Sequence, residues 1–310
     1  MRIVTRGEIL AALDETAALA AVEAGFRAYS AGKVQLMAVG HLGFGDPPGD
    51  CHVKGAYAEG DEVFVVKLAS SFYNNPEIGL PSSNGFMVVM SARTGEVLAL
   101  LHDEGALTDQ RTAMAGAIAA RAILRAASTV LGIVGTGTQA RLQAKLISRL
   151  LGLRTILVWG RNPERAAELA TELGGQAVSL PDLCSRADLL VTTTPSRQPL
   201  LTADMIRPGT RIVAVGADSP GKQELDPKLL AKARILVDSR SQCVDHGDTG
   251  WAVRAGLLDP ASLLELGTFL AHPVQFAGED IVVADLTGVA IQDVAIAKSV
   301  WRGLAGADDR

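Results

Sequence analysis

The chain has 310 residues, of which 48% are hydrophobic, 20% charged and 4% aromatic. A chain of this length is expected to form two domains, with cores built mainly from Ala, Val, Leu and Ile. The net charge of −5 and the pI near 5.6 give no support to a nucleic-acid partner. Charges are scattered through the first residues, so we do not expect a signal peptide. There is no apolar run of about 18 residues, so we do not expect a membrane span. We therefore expect a cytoplasmic protein.

The cysteine and histidine patterns argue against a metal site. The three cysteines are far apart and the five histidines form no HxxxH pair. An odd cysteine count without CxxC spacing favours neither a disulfide framework nor a structural zinc site. Cys51 and His52 are adjacent, and adjacent residues of a strand point to opposite faces, so shared ligation is not expected.

The first part of the chain mixes strand and helix patterns. The predicted elements are, in chain order, a strand at 2–4, helices capped by Thr5 and Asp14, a strand at 63–68, a turn-rich segment SSFYNNPEIGLPSSNG, a hairpin of strands 86–90 and 97–101, and an alanine-rich helix at 108–127.

From Thr129 onward, short apolar strands alternate with helices. The predicted strands are TVLGIVG, TILVWG, ADLLVTTT, RIVAVGAD and ARILVDS, and the predicted helices are TQARLQAKLISRLLG, PERAAELATELG and the final AIQDVAIAKSVWRGLAG. Alternation of this kind is typical of a parallel sheet covered by helices. The sequence therefore predicts an α/β fold with a Rossmann-type parallel-sheet domain.

The segment VLGIVGTGTQA contains a GxGxxA motif at a strand-to-helix turn. Gly135 permits the tight turn, Gly137 lets the backbone approach a pyrophosphate, and Ala140 keeps the helix close to the strand. The helix then begins at Thr138 and Gln139, whose N–H groups are placed to bind phosphates. Because both flanking elements match, dinucleotide binding is a better interpretation than a structural glycine turn.

The second strand of this fold ends at VWGRN, where a Rossmann protein distinguishes the ribose 2′ substituent. The segment has no Asp or Glu to accept a hydrogen bond from a free 2′-hydroxyl. Arg161, followed by Asn162, is suited to a 2′-phosphate. The sequence therefore favours NADP(H), with NAD(H) possible; the alternative is that Arg161 is a solvated surface charge.

Three charged residues stand in unusual places. Lys67 follows an apolar strand, Arg111 opens a helix, and Asp218 ends a strand in VGADSPGKQEL. Strand C-terminal ends face the ligand crevice of open α/β sheets, so Asp218 is expected near the cofactor. Lys67 and Arg111 together are suited to a carboxylate. Each also has a structural interpretation, as a strand-end lysine, a helix-surface charge and a turn cap.

The segments FVVKLASSFYNNPEIGLPSSNG, MSARTGEVLALLHDEGALTDQRTA, GIVGTGTQAR, VGADSPGKQEL and LTGVAIQD resemble the ornithine cyclodeaminase/mu-crystallin family. The resemblance implies a discontinuous α+β substrate-binding and dimerisation domain at 1–112, completed by about 291–310. It also implies a Rossmann NAD(P)-binding domain at 113–290 and a homodimer.

The resemblance carries site residues with it. Lys67 and Arg111 match the family's substrate-carboxylate ligands, and Asp218 matches its catalytic carboxylate. The resemblance also implies a catalytic role for Lys67. The turn beside the nicotinamide is matched by Thr287, Gly288 and Val289, and Thr108 and Thr112 are expected to contact the cofactor.

The segment CHVKGAY places His52 and Lys54 at the pocket edge, where a lysine would repel the δ-ammonium of ornithine. With SSFYNNP and VWGRN, it resembles the ketimine-reductase branch. The resemblance implies an NAD(P)H-dependent reductase of small cyclic 2-imino acids such as Δ1-pyrroline-2-carboxylate or Δ1-piperideine-2-carboxylate. Ornithine or lysine cyclodeamination, alanine-type dehydrogenation and non-catalytic NADP binding remain alternatives.

Overall fold

The computed structural model describes residues 1–72 and 74–308; Tyr73, in the predicted turn-rich segment, and residues 309–310 lie outside them. The strands are β1 (Arg2–Thr5), β2 (Val34–Leu36), β3 (Gly40–Phe44), β4 (Gly49–Ala58), β5 (Val63–Phe72), β6 (Ser83–Ser91), β7 (Val97–His102), β8 (Val130–Val134), β9 (Thr155–Trp159), β10 (Gln176–Ala177), β11 (Leu189–Thr192), β12 (Arg197–Leu201), β13 (Arg211–Ala214), β14 (Gln223–Leu225), β15 (Arg234–Val237), β16 (Leu264–Glu265) and β17 (Val282–Asp285). The α-helices are α1 (Arg6–Ala12), α2 (Glu15–Ser30), α3 (Ala106–Ile123), α4 (Thr138–Leu151), α5 (Pro163–Glu172), α6 (Leu180–Arg186), α7 (Pro227–Leu230), α8 (Arg240–His246), α9 (Asp248–Arg254), α10 (Leu266–Ala271) and α11 (Ile291–Asp308).

The chain forms two compact units. The first comprises residues 1–111 and the segment from Ala290 onward, and the second runs from Thr112 to Val289. The boundary at Arg111 falls inside α3, so this helix contributes residues to both units. None of the helices in the described ranges combines the length and the hydropathy needed to cross a membrane.

The first unit is built on a seven-stranded sheet with the order β1-β7-β6-β5-β4-β2, and β3 pairs with β4. Strand β1 runs parallel to β7, and the other pairs are antiparallel. Helix α11 contacts α2 and also β4, β5 and β6, so it covers one face of the sheet. Because strand side chains alternate, Val63, Val65 and Lys67 of β5 share the buried face.

The second unit is built on an eight-stranded sheet, all of whose pairs are parallel, in the order β10-β9-β8-β11-β13-β17-β15-β16. Every residue of β11, β13 and β17 is buried, as expected for central strands covered on both faces. The predicted α/β class and Rossmann-type parallel sheet are confirmed.

Some predicted boundaries are wrong. Helix α3 spans Ala106–Ile123 rather than 108–127, so Arg111 lies in its second turn and does not open it. The earlier start follows from Asp103, whose Oδ2 accepts a hydrogen bond from the Leu107 N–H at 2.8 Å. The earlier end follows from Arg211, whose Nε donates to the carbonyl of Ile123 at 2.8 Å.

Candidate active site

Two cations meet one carboxylate inside the first unit. The Nζ of Lys67 lies 2.9 Å from Oδ2 of Asp293, and the Nε of Arg111 lies 2.9 Å from Oδ1. The three residues are only 3%, 6% and 2% exposed, in the order Lys67, Arg111, Asp293. Lys67 is therefore inside β5 and buried, not at a strand end. The sequence analysis did not single out Asp293, although it lies in the family segment LTGVAIQD.

The ion pairs set the charge of this cluster. Burial lowers the pKa of Lys67 to about 8; the Asp293 carboxylate opposes that shift, and Arg111 and Lys54 add to it. Burial acts to raise the pKa of Asp293, but Lys67 and Arg111 outweigh it and hold that pKa below its ordinary value. Below pH 8 two cations thus face one carboxylate, and the excess positive charge suits a second anion.

Lys54 and His52 lie on the same sheet face as Lys67. Lys54 is directly opposite Lys67 in the antiparallel pair of β4 and β5, and opposed residues share a face. His52, two residues earlier, has its Nε2 3.5 Å from Oδ1 of Asp50. Its ring also packs edge-on against His41, with centroids 4.8 Å apart. The structure therefore places Lys54 beside the buried cations, while His52 is held by two neighbours.

In the second unit, the glycine turn before α4 has the form that a dinucleotide requires. Gly135 has a φ of +132°, and a Cβ there would lie 2.5 Å from Oγ1 of Thr193, so only glycine fits. Gly137 has a φ of −84°, and a Cβ there would meet nothing within 4 Å. The protein itself does not need glycine at 137, but a closely approaching pyrophosphate does. The N-terminus of α4 has no side-chain cap, which leaves its N–H groups for phosphates.

A cavity of about 320 Å³ adjoins this turn. Of the predicted cofactor residues, Gly135, Gly137, Arg161 and Asn162 line it. Arg165 also lines it and was missed, although it lies only four residues after Arg161. No Asp or Glu is among the described residues that line the cavity, so its charge fits an anionic dinucleotide.

Asn162 also caps a helix. Its Oδ1 accepts hydrogen bonds from the N–H groups of Glu164 and Arg165 at 2.9 and 3.1 Å. It is therefore the N-cap of α5 and fixes the start of the helix that carries Arg165.

The remaining predicted residues around the glycine turn do not line this cavity. Thr138 and Gln139 form the first turn of α4, and Ala140 is fully buried beneath it. The carbonyl of Thr112 accepts a hydrogen bond from Nε2 of Gln143 at 3.0 Å, so its backbone is tied to α4. Thr108 lies one turn earlier in α3.

Asp218 lies in the loop four residues beyond the end of β13, and not at a strand end as predicted. Its Oδ1 is 2.6 Å from Nζ of Lys222, and the two side chains are 52% and 15% exposed. The carbonyl of Lys222 accepts a hydrogen bond from Nε1 of Trp251 at 2.9 Å, so the lysine backbone is anchored. The loop thus presents a half-exposed carboxylate paired with an ammonium.

The turn at Thr287 and Gly288 is held by Asp238, which the sequence analysis missed. Its Oδ2 accepts hydrogen bonds from the N–H groups of Thr287 and Gly288 at 3.0 and 2.7 Å, and its Oδ1 accepts from the Thr287 hydroxyl at 3.0 Å. Gly288 has a φ of +85°, which favours glycine, and Val289 is buried. The signal available in the sequence was an acid directly after the apolar strand ILV.

Three more buried carboxylates hold the loops at this edge of the parallel sheet. Glu224 accepts hydrogen bonds from the N–H groups of Thr194 and Gly216 at 2.5 and 2.8 Å, which joins the segments after β11 and β13. Burial raises the pKa values of Glu224 and Asp248, and raises that of Asp285 to about 7. Asp248 Oδ1 accepts hydrogen bonds from the N–H groups of Glu224 and Leu225 in β14, and Asp285 Oδ2 accepts one from the Thr249 N–H in the first turn of α9. These carboxylates thus satisfy buried backbone donors.

The comparison with known proteins decides the family. Residues 1–307 match the model of the ornithine cyclodeaminase/mu-crystallin family. The chain belongs to the ornithine cyclodeaminase/mu-crystallin family. The resemblance found in the sequence is thereby confirmed.

Members of this family that resemble the chain include enzymes of amino-acid and imino-acid chemistry. An alanine dehydrogenase of Archaeoglobus fulgidus is 35% identical over an alignment of 306 positions, which covers 96% of this chain and 94% of the relative. An archaeal alanine dehydrogenase dimer solved with bound NAD superposes with a TM-score of 0.92 at 32% identity, over 99% of this chain and 97% of that one.

A second solved structure is the Δ1-pyrroline-2-carboxylate reductase of Thermococcus litoralis in complex with NADH and L-proline. It superposes with a TM-score of 0.92 at 26% identity, over 99% of this chain and 98% of that one. With these relatives, the chain is an oxidoreductase of this family.

Proposed function

We propose that the chain is an NAD(P)H-dependent reductase of small cyclic 2-imino acids, such as Δ1-pyrroline-2-carboxylate or Δ1-piperideine-2-carboxylate, and forms proline or pipecolate. The observation that carries the proposal is the buried pair of cations, Lys67 and Arg111, which together exceed the charge of Asp293. Such a site is suited to the carboxylate that these substrates share. The glycine turn and the cavity beside Arg161 supply the matching dinucleotide site.

The similar proteins support this substrate class. An alanine dehydrogenase and a pyrroline-2-carboxylate reductase both act on a carbon that bears a nitrogen and a carboxylate. In each reaction that carbon gains or loses a hydride. A site that binds the carboxylate and a nicotinamide cofactor therefore accounts for what these relatives have in common.

In the proposed mechanism, Lys67 and Arg111 bind the substrate carboxylate and so orient the C=N bond. A nicotinamide dinucleotide held at the glycine turn and beside Arg161 would supply the hydride that C2 of the imine accepts. Asp218 stabilises the protonated imine or supplies the proton that the nitrogen needs. Its pairing with Lys222 at 2.6 Å favours the charged carboxylate, and so favours stabilisation of the iminium.

The Asp218→Asn variant tests that role. We expect turnover to fall by about 10²-fold, because the amide keeps the shape of the side chain but loses the negative charge opposite the iminium. The KM for NADPH should not change. Turnover close to that of the wild type would remove Asp218 from the mechanism.

We further propose that NADP(H) is preferred and NAD(H) is accepted. Arg161 and Arg165 at the cavity, with no lining carboxylate, suit a ribose 2′-phosphate. Acceptance of NAD(H) is consistent with the two similar structures, which were solved with NAD or NADH.

A second candidate function is the dehydrogenation of alanine or another linear amino acid, which is favoured by the 35% identity to an alanine dehydrogenase. The same carboxylate site and the same hydride chemistry would serve it. Ornithine cyclodeamination fits less well, because Lys54 on the face of Lys67 would repel the distal ammonium of ornithine.

The test compares substrates under one set of conditions. NADPH consumption would be followed with the two cyclic imino acids and with pyruvate plus ammonium, and ammonia release would be followed with L-ornithine plus NAD. We expect fast consumption with a cyclic imino acid and no turnover of ornithine. Turnover of pyruvate and ammonium alone would establish the second candidate, and proline formed from ornithine would overturn the proposal.

A further inference from the structure

The side chain of Gln292 is a buried polar group of the first unit that the proposed function does not yet use. It lies in the first turn of α11, next to Asp293, and is fully buried. Its Oε1 accepts a hydrogen bond from Nη1 of Arg111 at 2.9 Å. Gln292 therefore contacts one of the two cations assigned to the substrate carboxylate.

The contact with Arg111 fixes which way the amide faces. A guanidinium group only donates, so the amide oxygen of Gln292 must face it and the NH₂ must point elsewhere. Among the residues that the structure describes, this Nε2 has no hydrogen-bond partner. A buried donor without an acceptor costs about 1–3 kcal/mol, so it calls for an explanation.

Asp293 does not provide the acceptor. Consecutive residues of a helix do not face each other, and the Asp293 oxygens lie towards Lys67 and Arg111. Those contacts are ion pairs at 2.9 Å, so both Asp293 oxygens are already engaged by the two cations. The cluster thus combines excess positive charge with an unused amide donor, and both features match an added oxyanion.

We propose that Gln292 is a substrate-binding residue, whose Nε2 donates a hydrogen bond to the carboxylate held by Lys67 and Arg111. This inference rests on the proposed function and adds a ligand to the same site. The amide contributes a donor without a charge, so the cluster keeps the single excess positive charge that matches one carboxylate. Its ligand is the carboxylate of a 2-imino or 2-amino acid.

The experiment measures binding and not only turnover. Pyrrole-2-carboxylate is a planar carboxylate with the ring and acid group of the proposed substrate, and the dinucleotide cannot readily reduce it. Its Kd for the enzyme saturated with NADP⁺ would be measured by calorimetry for the wild type, Gln292→Glu and Gln292→Leu. The same proteins would be assayed for their KM values and melting temperatures.

Both variants remove the Nε2 donor of Gln292, but they do so in different ways. Gln292→Glu keeps an oxygen facing Arg111 but replaces the NH₂ by a second oxygen, which would repel the ligand carboxylate. Gln292→Leu loses both groups. If Gln292 binds the substrate, the Kd rises by about 10-fold or more in both variants, and at least as much in Gln292→Glu. The KM for NADPH stays unchanged.

A loss of affinity that depends on Arg111 would overturn the proposal. If Gln292 only positions Arg111, Gln292→Leu raises the Kd in the wild type but not in a protein that already carries Arg111→Met. If the amide only holds a buried water, Gln292→Leu binds within about twofold of the wild type. Lys298→Met, which breaks the ion pair with Asp61 on the same helix, is the matched control and should leave the Kd unchanged.

Failure of the proposed function is a separate result. A wild-type enzyme that binds pyrrole-2-carboxylate but reduces no cyclic imino acid would refute the proposed function. The variants would still test whether Gln292 binds the carboxylate. A wild-type enzyme that does not bind pyrrole-2-carboxylate would overturn the inference.

Discussion

Lys67 shows how one residue links the fold to the chemistry. It occupies a position of β5 where the strand pattern calls for an apolar side chain facing the core. A buried ammonium is tolerated there because Asp293 on α11 pairs with it. The same burial lowers its pKa to about 8, which makes its charge sensitive to mildly alkaline pH.

This predicts the pH dependence of carboxylate binding. Because only the protonated lysine attracts an anion, the affinity for pyrrole-2-carboxylate should be constant below pH 8 and should fall above it. Asp293 supports the charged form of Lys67, so Asp293→Asn should move this fall to lower pH. The groups acting on Lys67 are Asp293, Arg111 and Lys54, and its charge is felt in turn by Asp103.

The measurement is the Kd of pyrrole-2-carboxylate as a function of pH, since this carboxylate does not titrate in the alkaline range. Asp61→Asn, which removes the partner of Lys298, is the control and should keep the wild-type profile. An affinity that stays constant to about pH 10, the ordinary range of lysine, would contradict the account.

Arg161 carries the prediction about cofactor choice. In Arg161→Asp, the KM for NADPH should rise by about 10-fold or more, because a carboxylate would face the 2′-phosphate, while the KM for NADH stays nearly constant. Steady-state kinetics with both cofactors provide the test. Arg154→Asp, an exposed arginine that does not line the cavity, is the control. Equal changes for NADPH and NADH would remove the assignment.

At the scale of elements, the turn between β8 and α4 separates a folding requirement from a binding requirement. Gly135 is needed by the fold itself, because its φ is +132° and a Cβ would collide with Thr193. Gly137 has ordinary backbone geometry and open space where a Cβ would stand. Two neighbouring glycines therefore have different reasons to be glycine.

The matched variants Gly135→Ala and Gly137→Ala test this difference. Gly135→Ala should lower the free energy of unfolding by about 1–3 kcal/mol, through backbone strain and the clash. Gly137→Ala should melt like the wild type but raise the KM for the dinucleotide by about 10-fold, since its methyl group blocks the pyrophosphate. Normal cofactor kinetics in Gly137→Ala would contradict the assignment of the turn.

Periodicity in the sequence predicted the elements that are buried and regular, and missed others for physical reasons. Five parallel strands, β8, β9, β11, β13 and β15, were predicted because most of their residues are apolar, as in β11 and β13. Strand β17 is equally buried and was missed. Strand β3 was missed because all five of its residues are exposed and two are glycines. This segment is a strand because it pairs with β4, and its own sequence pattern does not indicate a strand.

The residues that line the cavity were predictable where one short segment carries the signal, as at Gly135, Gly137 and Arg161. It was not predictable where two distant segments must meet. Asp293 partners Lys67 from 226 positions further along the chain, and no local pattern gives that distance. The contact between Asp238 and Thr287 was missed for the same reason, because these residues are also far apart in the sequence.

At the scale of the whole molecule, the first unit has a group of large apolar side chains that are exposed to solvent. Met37, Val39, Leu42 and Phe44 are 43%, 44%, 63% and 44% exposed along β3 and the segment before it. A group of this kind is typical of an interface between proteins. We propose that a second copy of the chain covers it, which would form the homodimer expected from the sequence.

The double variant Leu42→Asp/Phe44→Asp tests this homodimer. Light scattering after gel filtration should give twice the 32.3 kDa chain mass for the wild type and one chain mass for the variant, because two buried carboxylates per chain would oppose association. Leu150→Asp, at an apolar residue of the second unit that is 42% exposed, should remain dimeric. A monomeric wild type would refute the homodimer.

In the proposed reaction, C2 of a cyclic 2-imino acid accepts a hydride from the nicotinamide cofactor. The most direct measurement is mass spectrometry of the product formed from Δ1-pyrroline-2-carboxylate or Δ1-piperideine-2-carboxylate, with NADPH deuterated at C4 of the nicotinamide on one face or the other. We expect proline or pipecolate with one deuterium at C2, from one of the two labelled cofactors only. Absence of these products, or products without deuterium from either cofactor, would contradict the proposed reaction.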